Sequence, residues 1–388
     1  MRKIILLSDA SSSYARGLLK GIAEYSRLHG HWTFFRESIA PFYRETAKTS
    51  LYKRVKKLKA HGVIARISNK KFADEIKSWN LPVVAFDDDD RLPGFSQVIS
   101  DSREIARLAA DHLLNQGVKD FAFCGFGKYR WSRERGEHFQ TYLEEKGFSV
   151  NVYEIPLVTA GPIWENEQVR VTNWLKTLKQ GTGIFACNDD RAQQVLECAH
   201  STGLYVPDKL SIIGVDNDSL LCGLSNPSLT SVSVDTFQAG YKAANLLDNI
   251  ISDSTIKPEQ IIARPTHVEN RGSTEIFTVK DPHVVKALRY IRNNYRRDIG
   301  VENVVNAVSI SRRSLFDKFV KVLGRTISQE LKRVRIEHIC KCLAQSNLPV
   351  SQIARDLHFT SIEHISRYFK SYMKINPVEY RRKFRRLV

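Results

Sequence analysis

Over roughly its first 275 residues, the chain alternates short apolar runs with stretches of helical periodicity. Lys3–Leu7, Val63–Ile67, Val83–Phe86, Phe121–Cys124, Gly183–Ala186 and Leu210–Val215 have the length and composition of buried strands. Between them, Tyr14–Leu28, Arg103–Asn115, Arg133–Lys146, Trp164–Leu178 and Asp190–Thr202 carry a 3.6-residue hydrophobic period. Such alternation predicts parallel sheets covered by helices on both faces. A single core rarely grows to this size, so the segment is expected to form two such lobes.

The pattern stops after Arg271-Gly272-Ser273-Thr274. Asp281-Pro282 marks a break, and the rest reads as helices only: His283–Tyr295, Val301–Val308, Arg312–Val322, Ser328–Gln345, Ser351–Leu357 and Ile362–Met373. Two short helix pairs, each joined by a tight turn (Ser309–Ser311 and His358–Ser361), stand about fifty residues apart around one long helix. This is the arrangement of two helix-turn-helix units. The expected organisation is an α/β two-lobed domain at 1–275, a linker at 276–283 and an all-α domain at 284–388.

Charge separates the same two regions. Residues 281–388 carry 23 Lys and Arg against 9 Asp and Glu, a net of +14; the other 280 residues carry 36 against 33, a net of +3. A basic domain beside a nearly neutral one implies a polyanionic partner for that domain, either nucleic acid or an anionic membrane surface. The first apolar run is too short for an export signal or a membrane span, so a cytoplasmic protein without membrane attachment is expected.

Open α/β sheets bind ligands at the carboxyl ends of their strands. Those ends carry Ser8 to Arg16 (Ser13 and Arg16 among them), Asn188 and Asp189, and Asp216 and Asn217, while Trp131 and Arg135 open another helix. Carboxylates, amides, an arginine and an aromatic face suit a polyol, whose hydroxyls need paired donors and acceptors. Asp, Asn and Ser after a strand are equally the common helix caps. Asp101, with Glu104 three residues on, reads as a capping box.

Enzymatic signatures are missing. Gly125-Phe126-Gly127 lacks the third glycine of a dinucleotide loop, and no phosphate loop, G-x-S-x-G elbow or H-E-x-x-H spacing occurs. The pair Asp189/Asp216 is the one candidate for acid–base chemistry. Cys124, Cys187, Cys198, Cys222, Cys340 and Cys342 show no metal-ligand spacing and are expected to be reduced, buried thiols. No metal or cofactor is expected.

In a helix-turn-helix, the second helix presents its N-terminal residues to base edges in the major groove. Here those are Arg312, Arg313, Ser314 and Asp317 in the first unit, and Ser361, Glu363, His364 and Arg367 in the second. Leu315, Phe316, Phe319, Ile365, Tyr368 and Phe369 are assigned to the apolar core face by their spacing. Arg325, Lys332, Arg333, Lys370 and the tail from Arg381 to Arg386 suit phosphates.

Gly183–Asp189, Gly203–Asp208, Ile212–Asn217, Pro227–Val232, Val98–Asp101 and Arg135–Phe139 together resemble the effector domain of LacI-type repressors and of the related periplasmic sugar-binding proteins. The resemblance spans most of residues 1–275. It implies a periplasmic-binding-protein-like fold, two Rossmann-like lobes closing over a small sugar, with Arg135, Asp189 and Asp216 facing it. LacI-type proteins carry their DNA reader ahead of this domain, whereas this chain enters its first strand at Lys3.

Ser311–Leu315 with Phe319, Ile353-Ala354, Phe359, Tyr368-Phe369-Lys370 and Asn376–Arg381 resemble the AraC-type DNA-binding domain. His358 and Lys374 stand where that family has glycine, and the histidine implies a different turn geometry in the second unit. A LacI-like domain followed by an AraC-like one is similar to the xylose-operon activators. Arg130-Trp131 with Arg135, Trp174-Leu175, Arg271–Thr274, Asp281-Pro282 and Tyr290–Asn294 carry that likeness.

The resemblance implies a sugar-responsive, sequence-specific regulator. It would be an activator working as a homodimer on duplex operator DNA with RNA polymerase, and D-xylose is the first pentose to test. A ligand-independent or repressing DNA binder is the nearest alternative; a sugar-binding module or a sugar-modifying enzyme lies further off.

Overall fold

The computed structural model describes residues 1–8, 10–37, 55–67, 70–86, 94–155, 163–275, 281–346 and 348–384. The chain divides into two compact units, Met1–Ile276 and Phe277–Val388.

The first unit contains two six-stranded sheets. One has the order β11-β5-β4-β3-β1-β2, built from β1 (Lys3–Leu7), β2 (Thr33–Glu37), β3 (Gly62–Arg66), β4 (Val83–Phe86), β5 (Ser96–Ser100) and β11 (Gln260–Ala263). The other has the order β12-β10-β9-β8-β6-β7, built from β6 (Phe121–Phe126), β7 (Val150–Ile155), β8 (Thr182–Ala186), β9 (Leu210–Val215), β10 (Thr230–Val234) and β12 (Pro265–Glu269). β12 runs antiparallel to β10, and every other pair is parallel. These are the two expected lobes.

Helices cover both faces of each sheet, as the near-continuous apolar strands require. In the first lobe, Ile4, Leu6, Ile64 and Val84 pack on one side, and Ile5, Leu7, Val63 and Ala85 on the other. In the second lobe Phe123, Phe185 and Ile213 divide from Ile184 and Ile212 in the same way. The chain passes between lobes after β5, after β10, and between β11 and β12, where Arg264 is the sole intervening residue.

Helix α1 (Ser13–Leu28) forms because Tyr14, Leu18, Ile22 and Tyr25 share one buried face and Ser12 caps its start. It lies backbone-to-backbone against the long helix Thr236–Ser252. A Cβ on Gly240 would fall 2.1 Å from the Leu18 carbonyl oxygen, and one on Gly21 2.0 Å from that of Phe237. Glycine is required at both positions by approach rather than by torsion. The residue expected to open a capping box, Asp101, does cap the helix Ser102–Asn115; the Glu104 carboxylate instead holds Arg107, at 2.6 Å.

The second unit holds two small cores bridged by one helix. Ile327, Leu331 and Val334, early in the helix Ile327–Gln345, join the core of Val304, Val308, Leu315 and Phe319. Ile336, Ile339 and Leu343, later in the same helix, join that of Ile353, Leu357, Ile365 and Phe369. The buried Glu330 anchors the start of this helix, accepting from Arg325 at 2.5 Å and Arg333 at 2.9 Å. Burial pushes its pKa up, but the two guanidiniums outweigh that and leave it below the ordinary value. Two arginines assigned to phosphates are thus paired internally.

Asp281 caps the first helix, Pro282–Asn294, which opens inside the segment expected as linker; residues 276–280 of that segment lie outside the described residues, as do Arg385 and Arg386 of the basic tail. The two helix-turn-helix turns share a left-handed residue but not a length: Ser309 stands two residues before the N-cap Ser311, and His358 three before the N-cap Ser361. Ser309 (φ 64°) and His358 (φ 56°) are both left-handed, and so are Gly324 (φ 66°) and Lys374 (φ 65°) after the second helix of each unit. A different turn geometry was expected at His358, and the second turn is one residue longer than the first; a histidine holds the left-handed position there, at a cost of about 1 kcal/mol. Relieving such strain at the helix end is expected to stabilise the protein. Lys374→Gly should raise stability by roughly 0.5–1 kcal/mol in urea unfolding, whereas Lys370→Gly, one turn inside the helix, should lower it by about 1 kcal/mol. Equal losses in both variants would show that the left-handed position carries no strain.

Candidate functional site

The ends of β1, β8 and β9 bring most of the expected cleft residues together. After β9 the chain makes a tight corner with two consecutive left-handed residues, Asp216 (φ 98°) and Asn217 (φ 49°). Neither is glycine, so the surrounding structure must hold the corner. Asp216 N–H donates to Val232 O at 2.9 Å and Asn217 N–H to Ser231 Oγ at 3.0 Å. Arg271 donates to Asn217 Oδ1 at 2.6 Å, and Asn217 Nδ2 donates to Ser233 Oγ at 2.7 Å. Both ends of the Asn217 amide are therefore used in the corner itself.

Asp189 lies beneath this corner and is almost wholly buried. Its carboxylate accepts from Asp218 N–H at 2.7 Å, Ser231 Oγ at 2.6 Å and Cys222 Sγ at 3.5 Å. Burial and the nearby charge of Asp216 push its pKa well above the usual carboxylate range. Gly214 makes room for it, since a Cβ there would stand 2.3 Å from Asp189 Oδ1. Asn188 is the N-cap of the helix Asp189–Ser201, accepting from Arg191 N–H at 2.9 Å, and remains half-buried.

Arg135 reaches this region from the helix Arg130–Glu144. It is 3% exposed and donates from Nη1 to Cys187 O at 2.5 Å. Its Nε has no partner although it is buried. A buried guanidinium N–H without an acceptor is costly, and Arg191 Nε is in the same state. The half-buried Trp131 does not stand as an open platform: Tyr129 stacks on it at 5.8 Å with 9° between the planes, and the Arg135 guanidinium lies 5.0 Å from its ring. Its contacts orient Arg135.

From the first lobe, Ser13 is half-buried at the start of α1. Arg16 donates to Ala10 O at 3.1 Å and Ser11 O at 2.5 Å, and reaches across the lobes to Asp218 Oδ2 at 2.5 Å. Neither Asp218, the next residue after the expected Asp216-Asn217, nor Arg271, quoted only for its likeness to the xylose-operon activators, was assigned to the site beforehand. Asp218 also caps the short helix Ser219–Leu224, accepting from Leu220 N–H at 3.0 Å. Asp9, in the same first-lobe loop, lies outside the described residues.

The region has donors and acceptors, and neither thiol beside it is activated. Burial raises the Cys187 thiol to about 11 and that of Cys124 to about 12. All six cysteines are free; four are buried as expected, while Cys340 and Cys342 are half-buried. Among the described residues, no group of His, Cys, Asp and Glu is placed to hold a metal ion, and no helix is long and apolar enough to cross a membrane.

In the second unit, Ser311 caps the helix Arg312–Leu323 by accepting from Ser314 N–H at 3.2 Å. Ser361 caps Ile362–Met373 by accepting from His364 N–H at 3.1 Å. Arg312, Arg313, Asp317, Glu363, His364 and Arg367 are exposed on these two helices, and Ser314 and Ser361 half-buried. Arg312 pairs with Glu302 of the preceding helix. One assignment is corrected: Phe316, placed in the core by its spacing, is 46% exposed, while Leu315 and Phe319 are fully buried. Leu315 and Phe319 together already supply the buried stripe, and Phe316 lies outside it.

Residues 110–274 match the periplasmic binding protein-like domain family and residues 304–383 the helix-turn-helix domain family. The xylose operon regulatory protein of Escherichia coli K12 is 31% identical, over 98% of this chain and 96% of its own length. That of Haemophilus influenzae is 29% identical over 98% of each. The solved structure of a xylose-binding transcription activator aligns with a TM-score of 0.69 at 29% identity, covering 99% of this chain and 98% of its own.

The raised pKa of Asp189 yields a direct test. Asp189→Asn keeps the shape and one oxygen acceptor of this side chain while removing the charge that burial disfavours, and should stay within about 1 kcal/mol of the parent in urea unfolding. Asp189→Ala leaves the Asp218 N–H and the Ser231 hydroxyl buried without an acceptor and should cost about 2–4 kcal/mol. Equal losses would contradict a side chain whose internal hydrogen bonds hold the corner.

Proposed function

Because the chain belongs to the family of the xylose operon regulatory proteins, we propose that D-xylose is its effector and that it activates transcription as a homodimer on duplex DNA. As a member of that family, it is a sugar-responsive transcription regulator rather than an enzyme. In this reading residues 1–275 bind the sugar and residues 284–388 bind the operator. The two recognition helices of each protomer enter successive major grooves about 34 Å apart. RNA polymerase is the downstream partner, and the cytoplasm is the place of action.

The observation that carries the sugar reading is the buried Arg135 Nε, which has no acceptor at the edge of the cleft. A sugar hydroxyl supplies that acceptor, and Asp216 and Asn188 supply acceptor and amide groups for others. Asp189, Asn217 and Trp131 hold those three groups in place rather than touching the sugar. Ser13 and Arg16 close the site from the first lobe.

Isothermal calorimetry of the full chain with D-xylose, L-arabinose, D-ribose and D-glucose tests the assignment. D-xylose should bind most tightly, and Arg135→Ala, which circular dichroism should show still folded although less stable, should weaken it by roughly 10- to 100-fold. Absence of heat with every sugar from a folded protein would refute the sensor; tighter binding of another sugar would reassign the effector.

A further inference from the structure

The exposed face of the first recognition helix is not polar throughout. Phe316 is 46% and Val320 37% exposed, one helical turn apart. The buried face of the helix is already complete with Leu315 and Phe319, so neither exposed side chain has a place in the core. Arg312 and Arg313 precede Phe316 by one turn on the same exposed face. Within residues 281–388, whose net charge is +14, an apolar ridge flanked by arginines fits a polyanion that carries apolar groups at a fixed depth.

Duplex DNA has one such group on its base edges, the C5 methyl of thymine in the major groove. We propose that Phe316, supported by Val320, reads thymine methyls in the half of the operator contacted by the first helix-turn-helix unit. From residue 312 to 320 the helix rises about 12 Å at 1.5 Å per residue, equal to roughly three to four base-pair steps. The arginines therefore face one end of a short run of base pairs and the apolar pair the other. At the positions of the second recognition helix equivalent to Phe316 and Val320 stand Ser366 and Lys370; its Ile362 is exposed in the first turn, and the middle of its face reads donors and acceptors. The two units differ in chemistry, and the difference gives each half-operator a direction. This assignment rests on the DNA-reading role of the unit and adds which feature of DNA it reads.

The test uses the full chain and duplexes that it selects from a random pool. The selected site is resynthesised with deoxyuridine in place of each thymidine in turn, which removes only the methyl. At one or two positions the parent protein should lose affinity by roughly three- to tenfold. Phe316→Ala should bind the thymidine and deoxyuridine duplexes alike at those positions, Phe316→Leu should keep the discrimination, and Arg367→Ala should keep it too. Circular dichroism and melting of each variant should match the parent, since the side chain lies outside the core. The proposal is overturned if no position is sensitive to methyl removal, or if Phe316→Ala discriminates as well as the parent. The latter result would assign the ridge to a protein partner. Recovery of no specific duplex would instead remove the DNA-reading role itself, and the proposal with it.

Discussion

The carboxyl group of Asp189 holds together the part of the molecule on which its proposed input depends. It follows directly on β8 and accepts from the residues after β9 and within β10, so one side chain ties the ends of three neighbouring strands. Gly214 exists in this sequence to give it space. With that knot in place, the chain can turn through two left-handed residues at Asp216 and Asn217 without glycine, and Asp218 is set to meet Arg16 of the opposite lobe. Burying a carboxyl is tolerable because its pKa rises and three donors satisfy it. The residue that looks most like a ligand contact is thus the foundation for its neighbours.

Arg135 illustrates the complementary situation. Its packing against Trp131 and its bond to Cys187 O fix the guanidinium, yet one N–H remains buried without an acceptor. Removing a fixed donor from water in advance makes the later bond to a ligand selective, because a ligand lacking the matching oxygen leaves the donor unpaired. The cross-lobe pair between Arg16 and Asp218 joins the faces between which such a ligand would sit.

Much of this was legible in the sequence. The strands whose side chains are buried on both faces announce themselves as apolar runs: β1, β3, β4, β6, β8 and β9 were all expected. The six strands that were missed have a common cause. β2, β7, β11 and β12 lie at sheet edges, where one side meets solvent and polar residues enter, and β5 and β10 are short strands interrupted by serines. Residue types at strand ends pointed to the proposed site region but not to the roles within it, because an aspartate that caps, one that ties strands and one that faces a ligand have the same composition signal. Phe316 was misplaced for a related reason: helical spacing marks a face, but only the packed neighbours tell which of two adjacent apolar positions is inside.

The second unit has the architecture of a reader with two heads on one rigid bar. A single helix contributes to both small cores, so the two recognition helices are held by one continuous element. A sugar can alter DNA binding only to the extent that it binds one arrangement of the protein better than another, and DNA must then alter sugar binding by the same factor. The most direct measurement is therefore DNA affinity of the full chain, by fluorescence anisotropy on a selected duplex, at zero and at saturating D-xylose. The account predicts a change of at least about fivefold, matched by an equal change in xylose affinity when DNA is present, with both changes lost in Arg135→Ala. Identical DNA affinity with and without bound xylose, in a protein that binds both, would contradict it.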